Sequence, residues 1–75
     1  MIGTKSRLNK ELAERARFLV NTSVKDMESG LSHYTTLDDL HVLYTGLMIV
    51  HRRKEKTKEA ILKRKINRLE KELSR

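Results

Sequence analysis

Apolar residues recur along the first part of the chain at helical spacing. Leu8, Leu12, Ala16, Leu19, Val20, Val24 and Met27 stand three, four or one apart. They fill one broad sector of a helix, with Ala13 at its margin. This pattern predicts a first helix over residues 5–29. Gly30 follows as its expected stop, because glycine enters the left-handed conformation just past a helix without strain. Leu31 is then placed to fold back on the last turn. Phe18 lies outside the apolar sector, beside Arg17. It is expected at an edge covered by another subunit, or exposed where it touches a partner.

Residues 32–36 form a short connection with His33 and Tyr34 in it. Thr36-Leu37-Asp38-Asp39 reads as a helix start: the Thr36 hydroxyl can cap free amides, and Asp39 sits three residues on, where the helix dipole favours a carboxylate. The second helix is predicted over residues 37–52. Leu37, Leu40, Leu43, Tyr44, Leu47, Met48 and Val50 form its main apolar sector, with Val42 and Ile49 on the far side. A helix apolar around most of its circumference needs more cover than one neighbour supplies. Gly46 lies inside it at a cost of about 1 kcal/mol relative to Ala. Its apolar neighbours favour a packing role, in which a facing helix comes close.

Residues 51–59 are wholly polar but hold no Gly, Pro, Asn or Asp. The helix is therefore expected to continue through them. A narrow stripe then resumes at Leu62, Ile66, Leu69 and Leu73, spaced four, three and four as in a coiled-coil seam, with Ala60 and Ile61 beside it. Carried backward, the seam meets Met48, Arg52, Glu55 and Glu59, so charge interrupts it.

Together these segments predict an all-α chain, one helical domain over residues 1–75. Its expected form is an antiparallel helical hairpin with a long or once-broken C-terminal helix. The first helix packs antiparallel on the second, and residues 53–74 form a basic helical extension that projects or folds back. With 75 residues and no cysteine to form a disulfide, extra burial is expected from assembly into an oligomeric helical bundle. The expected interface residues are Phe18, Val42, Gly46, Ile49, Ile61, Leu62, Ile66, Leu69 and Leu73. The absence of proline and the three glycines agree with an all-helical reading.

Charge changes the picture more than composition does. The chain carries +7, and residues 1–50 sum to zero, with basic and acidic side chains in equal number. All of the excess lies in residues 51–75, where eleven basic side chains face four acidic ones. Such a block points to polyanions or acidic protein surfaces. The residues expected to contact phosphates are Arg52, Arg53, Lys56, Lys63, Arg64, Arg68 and Lys71, which lie off the apolar stripe. The segment carries no aromatic residue to stack on bases, which weakens a single-strand reading. No asparagine or arginine set stands out as a base reader, and the leucine seam is too short for a basic zipper.

Other chemistry finds little support. His33, His41 and His51 have no metal-ligand spacing. Asp38 or Asp39 beside His41 is explained by the helix start without invoking acid–base catalysis. There is no glycine-rich phosphate loop and no nucleophile elbow. No enzyme activity, cofactor or metal is expected. The N-terminus lacks a secretory apolar run, and Leu47–Val50 is too short to span a bilayer. The chain begins with Met and ends in an ordinary polar tail, as a complete small cytoplasmic protein would. The expected function is a small homo-oligomeric nucleic-acid-binding or regulatory protein. The alternative is a protein-interaction module: a regulator or inhibitor docking on a larger partner through an acidic surface, or an oligomer holding a small anionic ligand between subunits.

Overall fold

The computed structural model describes the backbone over residues 2–75 and the side chains over residues 10–75, so that of Leu8 lies outside the described residues. The described residues form four helices, α1 (Ile2–Val20), α2 (Val24–Gly30), α3 (Leu37–Arg53) and α4 (Lys56–Leu73), with a 3-10 turn at Leu31–His33 before α3. No strand occurs among the described residues.

The helix expected over residues 5–29 is two helices. Short polar side chains compete for the backbone between them. The Thr22 hydroxyl donates to the Leu19 carbonyl at 2.7 Å, and the extended Ser23 accepts from the Asp26 amide at 3.2 Å as the cap of α2. Gly30 does not take the left-handed stop expected of it. It stays right-handed at φ −71°, and the chain tightens directly into the 3-10 turn.

The start of α3 is as expected. Thr36 accepts from the Asp39 amide, and the Asp39 carboxylate accepts from the Thr36 amide, a complete capping box. The end of α3 is not. The expected continuation through residues 51–59 is broken at Lys54, which takes the left-handed conformation (φ 59°, ψ 33°). Its amide bonds to the His51 carbonyl, and the Glu55 amide reaches back to Val50 at 3.0 Å. This is the bonding of a Schellman cap, with a lysine where glycine is usual.

The reason lies in packing. Straight continuation would leave the apolar side of α4 bare. Folding back lays it on α3, and the two helices run in opposite senses: Tyr44 reaches Glu70, and His51 reaches Glu59. The first helix does not pair antiparallel with this segment as expected. Arg15 meets Asp39, and the Val20 side chain lies against Gly46, so contacts advance along α1 and α3 together. Residues 21–36, with α2 and the 3-10 turn, carry the chain back to allow this parallel arrangement.

The core collects Leu12, Ala16, Leu19 and Val20 from α1, Met27 from α2, Leu31 from the turn, Val42, Leu43 and Val50 from α3, and Leu62, Ile66 and Leu69 from α4. Gly46 sits where α1, α3 and α4 meet. A Cβ there would stand 3.2 Å from the Val20 Cγ1 and 3.7 Å from the Leu62 Cδ1, which is the close approach its apolar neighbours suggested.

Candidate nucleic-acid interface

One face of α4 is committed to the core by Leu62, Ile66 and Leu69, each buried. At about 100° per residue the opposite face carries Lys56, Arg64, Arg68 and Lys71, separated by Thr57, Ala60 and Asn67, and Arg75 continues the band two residues beyond the end of the helix. No acidic residue enters this band: Glu59 and Glu70 sit on the flank toward α3, and Glu72 on the other flank. All of its cations are exposed, and none makes an ion pair with a described residue. Successive cations on one ridge, such as Arg64 and Arg68, stand four residues or about 6 Å apart along the axis.

The expected phosphate-contacting residues divide accordingly. Lys56, Arg64, Arg68 and Lys71 share the open face of α4, and the exposed Arg75, which the sequence pattern did not single out, follows just past the end of the helix. Lys63 lies at the edge of that face and pairs with Glu59 at 3.5 Å. Glu59 also accepts from His51 at 2.8 Å, and this bond, then the Lys63 charge, holds its carboxyl below the usual range. Arg52 and Arg53 are on the last turn of α3. Arg53 is occupied, donating to the Asn21 side chain at 2.7 Å and lying 3.7 Å from Glu55. With the Lys58 ammonium, which donates to the Val20 carbonyl at 2.7 Å, it fastens the α3–α4 corner to the negative end of α1. These bonds make the cationic band part of a braced structure rather than a loose tail.

A cleft of about 300 Å³ borders the band where α4 meets α2 and the 3-10 turn. Arg64, Lys65 and Arg68 line it opposite Ser32 and Glu28, over Leu31 and Ile61. The cleft is therefore cationic on its α4 wall and apolar at its base.

The expected interface residues also divide. Val42, Gly46, Leu62, Ile66 and Leu69 are buried within this chain's own core, so they present no surface to another molecule. The coiled-coil spacing of α4 describes its seat on α3. Ile49 and Ile61 are half-buried, while Phe18 is 76% exposed and Leu73 is 37% exposed. The interface set read from the sequence leaves out Leu37, Tyr44 and Met48, the exposed apolar residues of α3, although the same reading calls for more cover on this helix than one neighbour supplies.

The second omission is Arg15. Its guanidinium lies 2.6 Å from Asp39 and packs over the Tyr34 ring at 5.6 Å. Asp39 also accepts from the Thr35 amide at 2.8 Å and the Thr36 amide at 3.0 Å. Burial pushes its carboxyl up, but these donors outweigh burial and hold the pKa at about 2. Asp39 is thus a structural pivot, with three of its about four lone-pair directions taken by these donors. No three His, Asp or Glu side chains converge to hold a metal among the described residues. No described helix is long and apolar enough to cross a membrane.

No family model matches the chain, and comparison with curated proteins and with solved structures finds no significant match.

Proposed function

We propose that this chain is a small nucleic-acid-binding protein whose phosphate contacts come from the outer face of α4. The observation that carries the proposal is the band Lys56–Arg64–Arg68–Lys71–Arg75, which is exposed, free of carboxylates and without ion pairs to described residues. A cation spent on an internal pair offers little to a ligand. Four unspent cations on one rigid helix face, with Arg75 just beyond it, can displace counterions from a phosphate backbone together. Nothing on this face is a base-reading set, so the binding is to backbone and shape rather than to sequence. As a regulatory protein the chain would act by occupancy and, as an oligomer, by presenting more than one such face.

The experiment is a fluorescence-anisotropy titration of duplex DNA and RNA across a salt series. Five phosphate contacts predict a slope of log K against log salt of about −4.5. Changing Arg64, Arg68 and Lys71 together to Gln is expected to reduce that slope by about 3, with the far-UV circular dichroism unchanged. A slope near zero, or equal affinity in the variant, would contradict the proposal.

A second reading, a protein-interaction module, is favoured by one observation: Phe18, the largest apolar side chain on α1, is 76% exposed. On that reading Phe18, with Ile49 and Ile61, anchors a larger partner, and the cationic band steers an acidic surface toward it. Capture of a protein that persists after nuclease treatment, and is lost in Phe18→Ala, would select this reading over the first.

A further inference from the structure

We infer that the exposed face of α3 is a self-complementary surface, and that two copies of this chain pair antiparallel through it. The inference goes beyond the proposed function, since it concerns α3 and stands or falls without α4.

Leu37, Tyr44 and Met48 point away from the core and are 70%, 42% and 59% exposed, with half-buried Leu40 and Leu47 beside them. They recur at the three- and four-residue spacing of a helix–helix contact over about 17 Å of axis. Single exposed apolar residues are ordinary, but a continuous strip of them is a docking surface. Tyr44 is already fixed for such a role, because its hydroxyl donates to Glu70 at 2.5 Å.

Charge decides the occupant. Asp38 and Arg52 lie about 40° apart on the same flank of this strip, near opposite ends of α3. Both are exposed, and neither makes an ion pair with a described residue. A two-fold axis perpendicular to the helix brings like flank to like flank and reverses direction. With the axis beside Thr45, Asp38 of one copy stands opposite Arg52 of the partner subunit, because the two positions are equidistant from residue 45. The symmetry makes the pairing twice over, as an isologous interface requires. The same copy contact sheds the apolar strip from water.

The test is sedimentation equilibrium of the full chain. The wild type is expected to dimerise with a dissociation constant of about 1–100 µM, as suits a small interface. Met48→Glu, at an exposed site outside the core, is expected to give a monomer whose thermal unfolding curve matches that of the wild type diluted well below its dissociation constant. Asp38→Arg and Arg52→Asp are each expected to weaken the dimer about 10-fold or more, and the double exchange to restore it. A wild type that stays monomeric at about 1 mM overturns the inference. So does a double exchange that dimerises no better than either single variant. Restored dimerisation without nucleic-acid binding would leave this inference standing and remove only the reading of α4.

Discussion

Asp39 shows how one side chain can hold a fold together. It closes the start of α3, takes two loop amides and anchors α1 through Arg15. Its pKa of about 2 lies below the ordinary 3.8, so its contribution is present above about pH 4 and is lost as pH falls through about 2. Because the Arg15 side of the contact is partly open to solvent, the contribution is about 1 kcal/mol. Urea unfolding should therefore show wild type ahead of Asp39→Asn by roughly that amount at pH 6, with the gap closing toward pH 2. A gap that does not change with pH would refute this role. The helix start at Thr36 was legible because capping is local chemistry. The Arg15 contact was not, because it spans 24 positions and depends on where α1 ends up.

Gly46 is legible for a similar reason: a glycine among apolar residues in a helix implies a close neighbour. An alanine there meets the Val20 methyl at 3.2 Å. That crowding offsets the better helix propensity, so Gly46→Ala should stay within about 1 kcal/mol of wild type. Gly46→Leu has no space at the junction of three helices and should cost about 2–3 kcal/mol in urea unfolding. Equal stability of the two variants would show that the junction is looser than described.

At the scale of elements, the breaks separate what a sequence declares from what packing imposes. Ser23-Val24-Lys25-Asp26 has the same form as the start of α3, with a hydroxyl three residues before a carboxylate. The α1–α2 break was therefore readable, but the apolar rhythm from Leu19 through Val24 to Met27 runs straight across it and suggests one helix. The α3–α4 break carries no such mark. His51 to Glu59 are all tolerable in a helix, and the chain turns because α3 and α4 each have an apolar side that the other covers.

The cost of that turn is local. Lys54 holds a left-handed backbone that a side-chain-bearing residue adopts at about 1 kcal/mol. Lys54→Gly should raise stability by about 0.5–1 kcal/mol, or roughly 2–8 °C in melting temperature, despite removing a charge. Lys54→Val should lower it. If Lys54→Gly is no more stable than wild type, the corner is not under the strain described. The fastening of this corner by Arg53 and Lys58 to the end of α1 was invisible in the sequence, where both were simply members of a basic run.

For the whole molecule, composition and periodicity disclosed an all-helical chain and the place of its charge. They did not disclose direction: α1 runs parallel to α3, because α2 and the 3-10 turn make the return. They also assigned the α4 seam to another copy, when the chain needed it for its own core. With the α4 seam taken into the core, the surplus apolar surface that remains is the one on α3, where the periodicity already called for more cover than one neighbour supplies. The seating of α4 also sharpens the electrostatics, since a helix seated on its leucines has only one face left for its lysines and arginines. Internal pairs then remove Arg53, Lys58 and Lys63 from the free cations, and among those that remain Lys56, Arg64, Arg68 and Lys71 share the outer face of α4.

That band is the centre of the account. The most direct measurement is a titration of the isotopically labelled chain with a short DNA duplex, followed by amide and side-chain NMR shifts at two salt concentrations. The account predicts changes concentrated at Lys56, Arg64, Arg68, Lys71 and Arg75 that vanish as salt rises. Shifts that centre on Phe18 or the exposed strip of α3, or an unchanged spectrum at low salt, would contradict it.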